Sequence, residues 1–327
     1  MPELSKVQMG LESVAGTLVA ATKMLDIEGG AELELLDEVR LPRYVNGIAQ
    51  PTMQNAFMGG TASRLTVKDT PCSFQLLAYL CNMAIKAVVG PATAFDFPLP
   101  TTTPNSISTF TFEAVMARIL QEYEFGYGFI SKMGFAADAE ADGGVAKVNY
   151  VVEGRKSAAS TVTGSLAFIP SREMMNLRTA SFKIDALGTA AGTTAATANA
   201  LRAFSIDFDT GWVPESYADS RSDKDWSIAR FNPEKMKLTG KMRIYKGSTA
   251  VTQIANARAG TGIVVQVDFI GTSTLDCKFK LPLLWLSAPK DDTGGDSLEF
   301  DFEAGYDSAG STQGASVNIT LASTTIA

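Results

Sequence analysis

The sequence contains no histidine in 327 residues. Histidine is the usual general base near neutral pH and the commonest metal ligand, so Ser-His-Asp, Cys-His and His-metal chemistry are all excluded. Cysteine is nearly as scarce. Cys72, Cys81 and Cys277 make an odd count with no Cys-x-x-Cys pair, which argues against a disulfide framework or a thiolate zinc site and leaves three small buried apolar residues. No apolar run approaches the roughly 20 residues that a membrane helix needs. The opening Met1-Pro2-Glu3-Leu4-Ser5-Lys6 lacks a basic segment followed by an apolar stretch, so no secretory signal is visible and a cytoplasmic chain is expected. A net charge of −7 disfavours tight, sequence-reading contact with nucleic acid and permits only weak or repulsive contact.

What is present is alternation. From 235 to 245, Met236, Leu238, Met242 and Ile244 alternate with Lys235, Lys237, Thr239, Lys241, Arg243 and Tyr245, giving one apolar and one basic face. From 201 to 209, Phe204, Ile206 and Phe208 oppose Leu201, Ala203, Ser205, Asp207 and Asp209. Leu298, Phe300 and Phe302 oppose Glu299, Asp301 and Glu303, and Ala31, Leu33 and Leu35 oppose Glu32 and Glu34. Acid-faced and base-faced strands together suit antiparallel sheets with one wet face, where opposite charges on neighbouring strands pair favourably.

One segment reads as a helix, over about 71 to 88. Thr70 can cap it, Pro71 suits its first turn, and Phe74, Leu77, Ala78, Cys81, Ile85 and Val88 form a stripe that would pack on one face of a sheet. Residues 112 to 124 fit helix or strand. The Ala/Gly/Thr-rich stretch 186 to 200 reads as an exposed mobile loop. Two longer polar stretches, 36 to 59 with Asp37, Glu38, Arg40, Arg43 and Tyr44, and 210 to 232 with Trp212, Arg221, Asp223, Lys224 and Asp225, are candidate contact loops.

The length fits two domains, expected at 1–165 and 166–327. A weak repeat supports two related halves: Gly143, Gly144 and Gly154 recur as Gly294, Gly295 and Gly305, although the inward parity of the following strand slips by one residue. The fold class is therefore mainly β, with two tandem antiparallel β-sandwich domains, each with a small flanking helix.

Four sharper chemistries compete with structural roles. Asp209-Thr210-Gly211 and Asp292-Thr293-Gly294 match the paired triplets of aspartic peptidases, where two carboxylates share a proton, but the second sits in a polar turn. Asp138, Glu140 and Asp142 could hold calcium, yet they do not complete the twelve-residue loop. Trp212, Trp226 and Trp285 could form a sugar-binding shelf, or serve as core and interface anchors. The basic face at 235 to 246 could follow a nucleic-acid backbone, but apart from Tyr245 it lacks stacking aromatics.

The overall order resembles that of the major tail tube proteins of long-tailed bacteriophages. The resemblance rests on the opening Val7-Gln8-Met9-Gly10-Leu11-Glu12-Ser13-Val14-Ala15-Gly16-Thr17 with Asp26-Ile27-Glu28, on Gly60 and Arg64-Leu65-Thr66-Val67 leading into the helix, and on Ala203-Phe204-Ser205-Ile206-Asp207-Phe208 before Trp212-Val213-Pro214. The glycine-hinged hairpin and Asp/Ser/Thr-rich tail complete it. The resemblance covers most of the chain in order and implies a non-enzymatic, cofactor-free virion protein assembled in the host cytoplasm. Its two-domain layout implies that three copies would complete a pseudo-six-fold ring, or six a simple ring, with rings stacked into a tube that conducts DNA. Tape measure, distal tail and terminator proteins are the implied partners, with no membrane contact. Within that picture Asp37, Glu38, Arg40, Arg43, Tyr44, Trp212, Arg221, Asp223, Lys224 and Asp225 would touch neighbouring subunits or rings. Glu32, Glu34, Asp207, Lys237, Lys241, Arg243, Glu299 and Asp301 would line the lumen or an interface. Residues 1 to 20 and 310 to 327 are expected to become ordered only on contact with neighbours. A carbohydrate-binding or adhesive virion sandwich is the alternative, and an aspartic peptidase a more remote one.

Overall fold

The computed structural model describes all residues except 1–3, 37, 41–56, 89–92, 117–120, 170–172, 198–199, 218–224, 273, 292–294, 308–312 and 322–327. The first half runs β1 (Leu4–Leu11), β2 (Lys23–Met24), β3 (Ala31–Leu35), an arm of β4 (Glu38–Arg40) and β5 (Phe57–Gly60), β6 (Ser63–Pro71), α1 (Phe74–Ala84), β7 (Ala94–Pro98), β8 (Phe110–Met116), β9 (Gln121–Asp138), β10 (Lys147–Gly154) and β11 (Ala158–Ala159). The second runs β12 (Ser181–Ala186), β13 (Leu201–Asp209), an arm of β14 (Trp212–Glu215) and β15 (Ile228–Phe231), β16 (Lys237–Tyr245), α2 (Ser248–Ala259), β17 (Ile263–Ile270), β18 (Asp276–Trp285), β19 (Lys290–Asp291), β20 (Ser297–Ala304), β21 (Tyr306–Asp307), β22 (Gln313–Gly314) and β23 (Ser316–Thr320). The protein is mainly β, with antiparallel pairing between its named strands, as the alternation requires.

The pairing order occurs twice. In the first half it is β3-β6-β10-β9-β8-β1, and in the second β13-β16-β20-β18-β17-β12. Each half also lifts a two-stranded arm between its first two central strands, β4-β5 and β14-β15. Matching the rung Glu34-Arg64-Glu153 to the rung Asp207-Thr239-Glu303, which also superposes buried Tyr150 and Val152 on buried Phe300 and Phe302, relates β10 and β20 by 150 positions (303 minus 153). The glycines are related by 151 (305 minus 154), so Gly154 corresponds to Ala304, and this removes the one-residue parity slip seen in the sequence.

The two halves are joined by β9, whose Lys132–Asp138 segment pairs with β13 and, over 132–136, with β10 as well. One core spans the joint: Phe135 of the first half lies 4.9 to 6.1 Å from the rings of Phe204, Phe269 and Phe279 of the second. Residues after 165 bond back to the first half, with Met24 N donating to Ala167 O and Met175 N to Cys72 O. At the other end β23 pairs with β7.

Helix α1 departs from expectation in extent and place. Pro71 closes strand β6 opposite Lys147, so Ser73, not Thr70, caps the helix, its hydroxyl accepting from Leu76 N at 3.1 Å. Every residue from Phe74 to Ala84 is buried, which makes α1 a core helix and not a flanking one. Residues 112 to 124 belong to β8 and β9 where they are described. Cys72, Cys81 and Cys277 are free and buried, and burial pushes all three thiols up.

The 186–200 stretch is not simply an open loop. Asp185 gathers it, accepting from Gly192 N, Thr193 Oγ1 and Thr194 N at 2.7 to 2.9 Å. Burial would raise that carboxyl, but the bonds from Thr193, Gly192 and Thr194 outweigh it and hold it below the usual range. In the described parts of the two ends, β1 pairs along β8 and β23 lies between β18 and β7.

Candidate functional site

Seven central strands, β3-β6-β10-β9-β13-β16-β20, form one continuous sheet crossing both halves. A strand directs successive side chains to opposite faces, so register decides what shares a surface. One face carries Leu33, Leu65, Val152, Met133, Phe135, Phe204, Ile206, Phe208, Met242, Phe300 and Phe302 into the core. Gly240 lies under this packing; a Cβ there would overlap the Ser205 carbonyl and the Phe302 ring.

The opposite face is polar and runs in charged rungs. Glu34 sits opposite Arg64, which sits opposite Glu153. Lys132, Asp209 and Lys237 form the next rung, and Gly134, Asp207, Thr239 and Glu303 another. Ala136, Ser205, Lys241 and Asp301 follow, then Asp138, Ala203, Arg243 and Glu299. All eight strand-face candidates, Glu32, Glu34, Asp207, Lys237, Lys241, Arg243, Glu299 and Asp301, therefore lie on one surface.

Almost every cation on this face is held by an acid. Lys68 Nζ is 3.2 Å from Glu32, and Arg64 is 2.9 Å from Glu153 and 3.7 Å from Glu34. Lys132 lies 3.8 Å from Asp209, and Lys237 3.8 Å from Glu303. Lys241 reaches Glu299 at 3.0 Å and Asp301 at 3.7 Å, while Lys290 reaches Asp301 at 3.0 Å. The Lys290 hydrogen bond holds the Asp301 carboxyl below its ordinary value, and the Glu299 bond holds Lys241 above its own. Apart from Arg64–Glu153, whose carboxylate is buried, each pair is solvent-exposed enough to contribute little alone, about 0 to 1 kcal/mol, so the ladder governs what the surface attracts more than how stable it is.

Arg64, Lys68, Lys132, Glu153, Lys290 and Glu303 belong to the ladder without having been singled out as site residues. Arg64, Thr66 and Lys68 alternate with Leu65 and Val67, a signal of the same kind as the one that marked 235 to 245. Asp138 and Glu140 do not form a cation cradle: Arg243 reaches them at 2.9 and 3.1 Å, and Arg202 also pairs with Glu140. Among the described residues no group of acids is placed to hold a metal ion.

The loop candidates divide. Asp37, Arg43, Tyr44, Arg221, Asp223 and Lys224 lie outside the described residues, and Glu38 and Arg40 are placed by backbone alone in β4. Trp212 packs edge-on against Phe231 within its own arm at 5.5 Å. Asp225 stitches the bases of the two arms, accepting from Thr61 Oγ1 at 2.6 Å and Lys156 N at 2.8 Å. No protein-family model and no curated protein matches the chain.

The tryptophans make no shared shelf. Trp226 and Trp285 are buried, donating to Gly154 O and Gln253 Oε1, while Trp212 is half-buried in its arm. Asp209 faces Lys132 across the sheet, and its neighbour Thr210 donates to the Ile130 carbonyl at 2.9 Å, a strand-end anchor. The second Asp-Thr-Gly triplet, 292–294, lies outside the described residues.

Proposed function

We propose that the protein is a structural subunit that assembles with itself into closed rings stacked as a hollow tube, the tail tube of a long-tailed bacteriophage, with the charge-laddered face lining the channel. One observation carries this reading: a single sheet crosses both halves, polar on one face and apolar on the other, and among the described residues its outermost strands β3 and β19 each pair on one side only. Open strand edges invite pairing with another chain, and closure into a barrel removes them.

The ladder suits a surface past which a polyanion moves. Tight binding to a nucleic-acid backbone releases condensed counterions in exchange for available cations. Here each of Arg64, Lys68, Lys132, Lys237, Lys241 and Lys290 already faces a carboxylate, and Asp207 adds a charge with no ion-pair partner among the described residues. Such a wall is wet, locally neutral to acidic, and among the described residues has no cationic track on which DNA could dwell. In this reading three copies close one pseudo-six-fold ring, the arms meet adjacent rings, and tape measure, distal tail and terminator proteins bound the tube.

The test is electron microscopy of the purified protein at high concentration, with light scattering for mass. Hollow rings or tubes are expected. A globular monomer at every concentration, including with preformed tube ends added as seeds, would overturn the proposal.

A further inference from the structure

The duplicated topology shows, inside one chain, how two such units join. At the internal joint the outer edge of β9 receives β13, with Gly134 opposite Asp207 and Met133 opposite Phe208. The same two edges recur unpaired at the ends of the sheet. Among the described residues β3, the counterpart of β13, pairs only with β6, and β19, which continues the counterpart of β9, pairs only with β20.

The pairing ladder fixes which positions correspond. Asp207 faces Thr239, which faces Glu303; Glu34 faces Arg64, which faces Glu153. Glu34 is thus the counterpart of Asp207, and Leu35 that of Phe208. On the other side Gly134 faces Asn149, four residues before Glu153, and Lys290 faces Glu299, four residues before Glu303. Lys290 is the counterpart of Gly134.

Burial follows the same correspondence. Phe208 is 4% exposed at the filled joint, whereas Leu35 is 38% exposed at the open edge. Phe129 is fully buried under Trp226 of the second arm, at 5.6 Å between rings, whereas its counterpart Leu284 is 44% exposed. Leu284 lies with Leu187, Leu286 and Tyr306 along an open groove of about 400 Å³. Contiguous exposed apolar side chains of this kind mark an interaction surface.

We infer that the β19 edge receives β3 of a second copy of this chain, head to tail, in the register that places Lys290 opposite Glu34 of that copy. The inference rests on the self-assembly reading and adds to it the joint itself. It brings opposite charges together, places Leu35 on the core side as Phe208 is placed at the internal joint, and uses each end of every copy once, so the chain of contacts closes without a free edge.

The experiment is an oxidative cross-link in the full chain carrying Glu34→Cys and Lys290→Cys. Directly opposed residues of paired strands bring Cα atoms within disulfide range. The three native cysteines are fully buried, so they do not compete. Both substituted side chains are at least a third exposed, and a melting curve matching wild type confirms that the variant folds. Disulfide-linked dimers and higher oligomers that vanish on reduction, and that neither single-cysteine variant forms, are expected. If wild type assembles but the double variant yields no cross-link beyond the single variants, the joint runs elsewhere while the self-assembly reading stands. If wild type does not assemble and no cross-link forms, both fall.

Discussion

Helices α1 and α2 occupy matching places, each following the second central strand of its half, yet they meet opposite surroundings. All of α1 is buried against β9, β7 and β23, whereas α2 buries only Ala250 and Gln253 and leaves Val251 67% exposed. Their sequences, FQLLAYLCNMA and STAVTQIANARA, record the difference. Strand β23 of the second half lies against α1, whereas among the described residues α2 meets chiefly β16 and β18 of its own half, so topology was repeated while composition followed the neighbours each copy has.

The largest expected effect breaks this contrast. Leu77→Asp places a charge in a fully buried helix and is expected to unfold the protein, a loss above about 4 kcal/mol, while Val251→Asp stays within about 0.5 kcal/mol of wild type. Chemical denaturation of both variants checks it, and equal midpoints would mean that the two helices are equally covered. Next in size is the seam. Phe135→Ala, which removes the ring shared by both halves, is expected to cost about 3 to 5 kcal/mol and to melt both halves in one transition. Calorimetry showing two transitions would mean that the halves are thermodynamically separate.

A smaller effect separates two similar devices. Each half pins the segment at the end of its outer strand with one buried carboxylate, Glu12 after β1 and Asp185 in β12. Glu12 accepts from Gly16 N, Thr109 Oγ1, Thr111 Oγ1 and Tyr127 N at 2.6 to 3.1 Å. Glu12→Ala strands those donors and is expected to cost about 1.5 to 3 kcal/mol in a melt.

The smallest effects lie on the ladder. Lys241→Ala is expected to change stability by about 0 to 1 kcal/mol. Its pH dependence follows from the shifts. Asp185 and Asp301 titrate below their ordinary value in the fold, so their contribution is present above about pH 4 and is lost as pH falls through the lowered values. Lys241 titrates above its ordinary value, so its contribution is complete below about pH 10 and is lost as pH rises through the raised one. The melting temperature should be flat across the neutral range and fall outside it, and a maximum at acid pH would contradict these assignments.

Strands with one wet face were legible in the sequence because alternation survives there: β13 and β20 sit on the alternating runs around Phe204–Phe208 and Leu298–Phe302, and β16 begins at Lys237, two residues inside the run 235 to 245. Strand β8 was not, since all of its residues are buried and two-sided burial erases the period. The start of α1 was misplaced because Pro71 serves equally at a strand end and in a helix's first turn. The ladder was half legible. Each charged face could be read along its own strand, but the pairing of Arg243 with Asp138, over 105 positions, is a property of register that no local pattern carries. The internal joint was invisible for the same reason.

Whether the charged face lines the proposed channel is tested most directly by size-selective labelling of Asp207→Cys. In the free chain, small maleimides and maleimides borne on long polymers should react alike, the native thiols being buried and their reactivity suppressed by raised pKa. After assembly the small reagent should still react and the polymer-borne one should fail. Equal reaction with both reagents in the assembled form would place this face on the outside and contradict the proposed conduit.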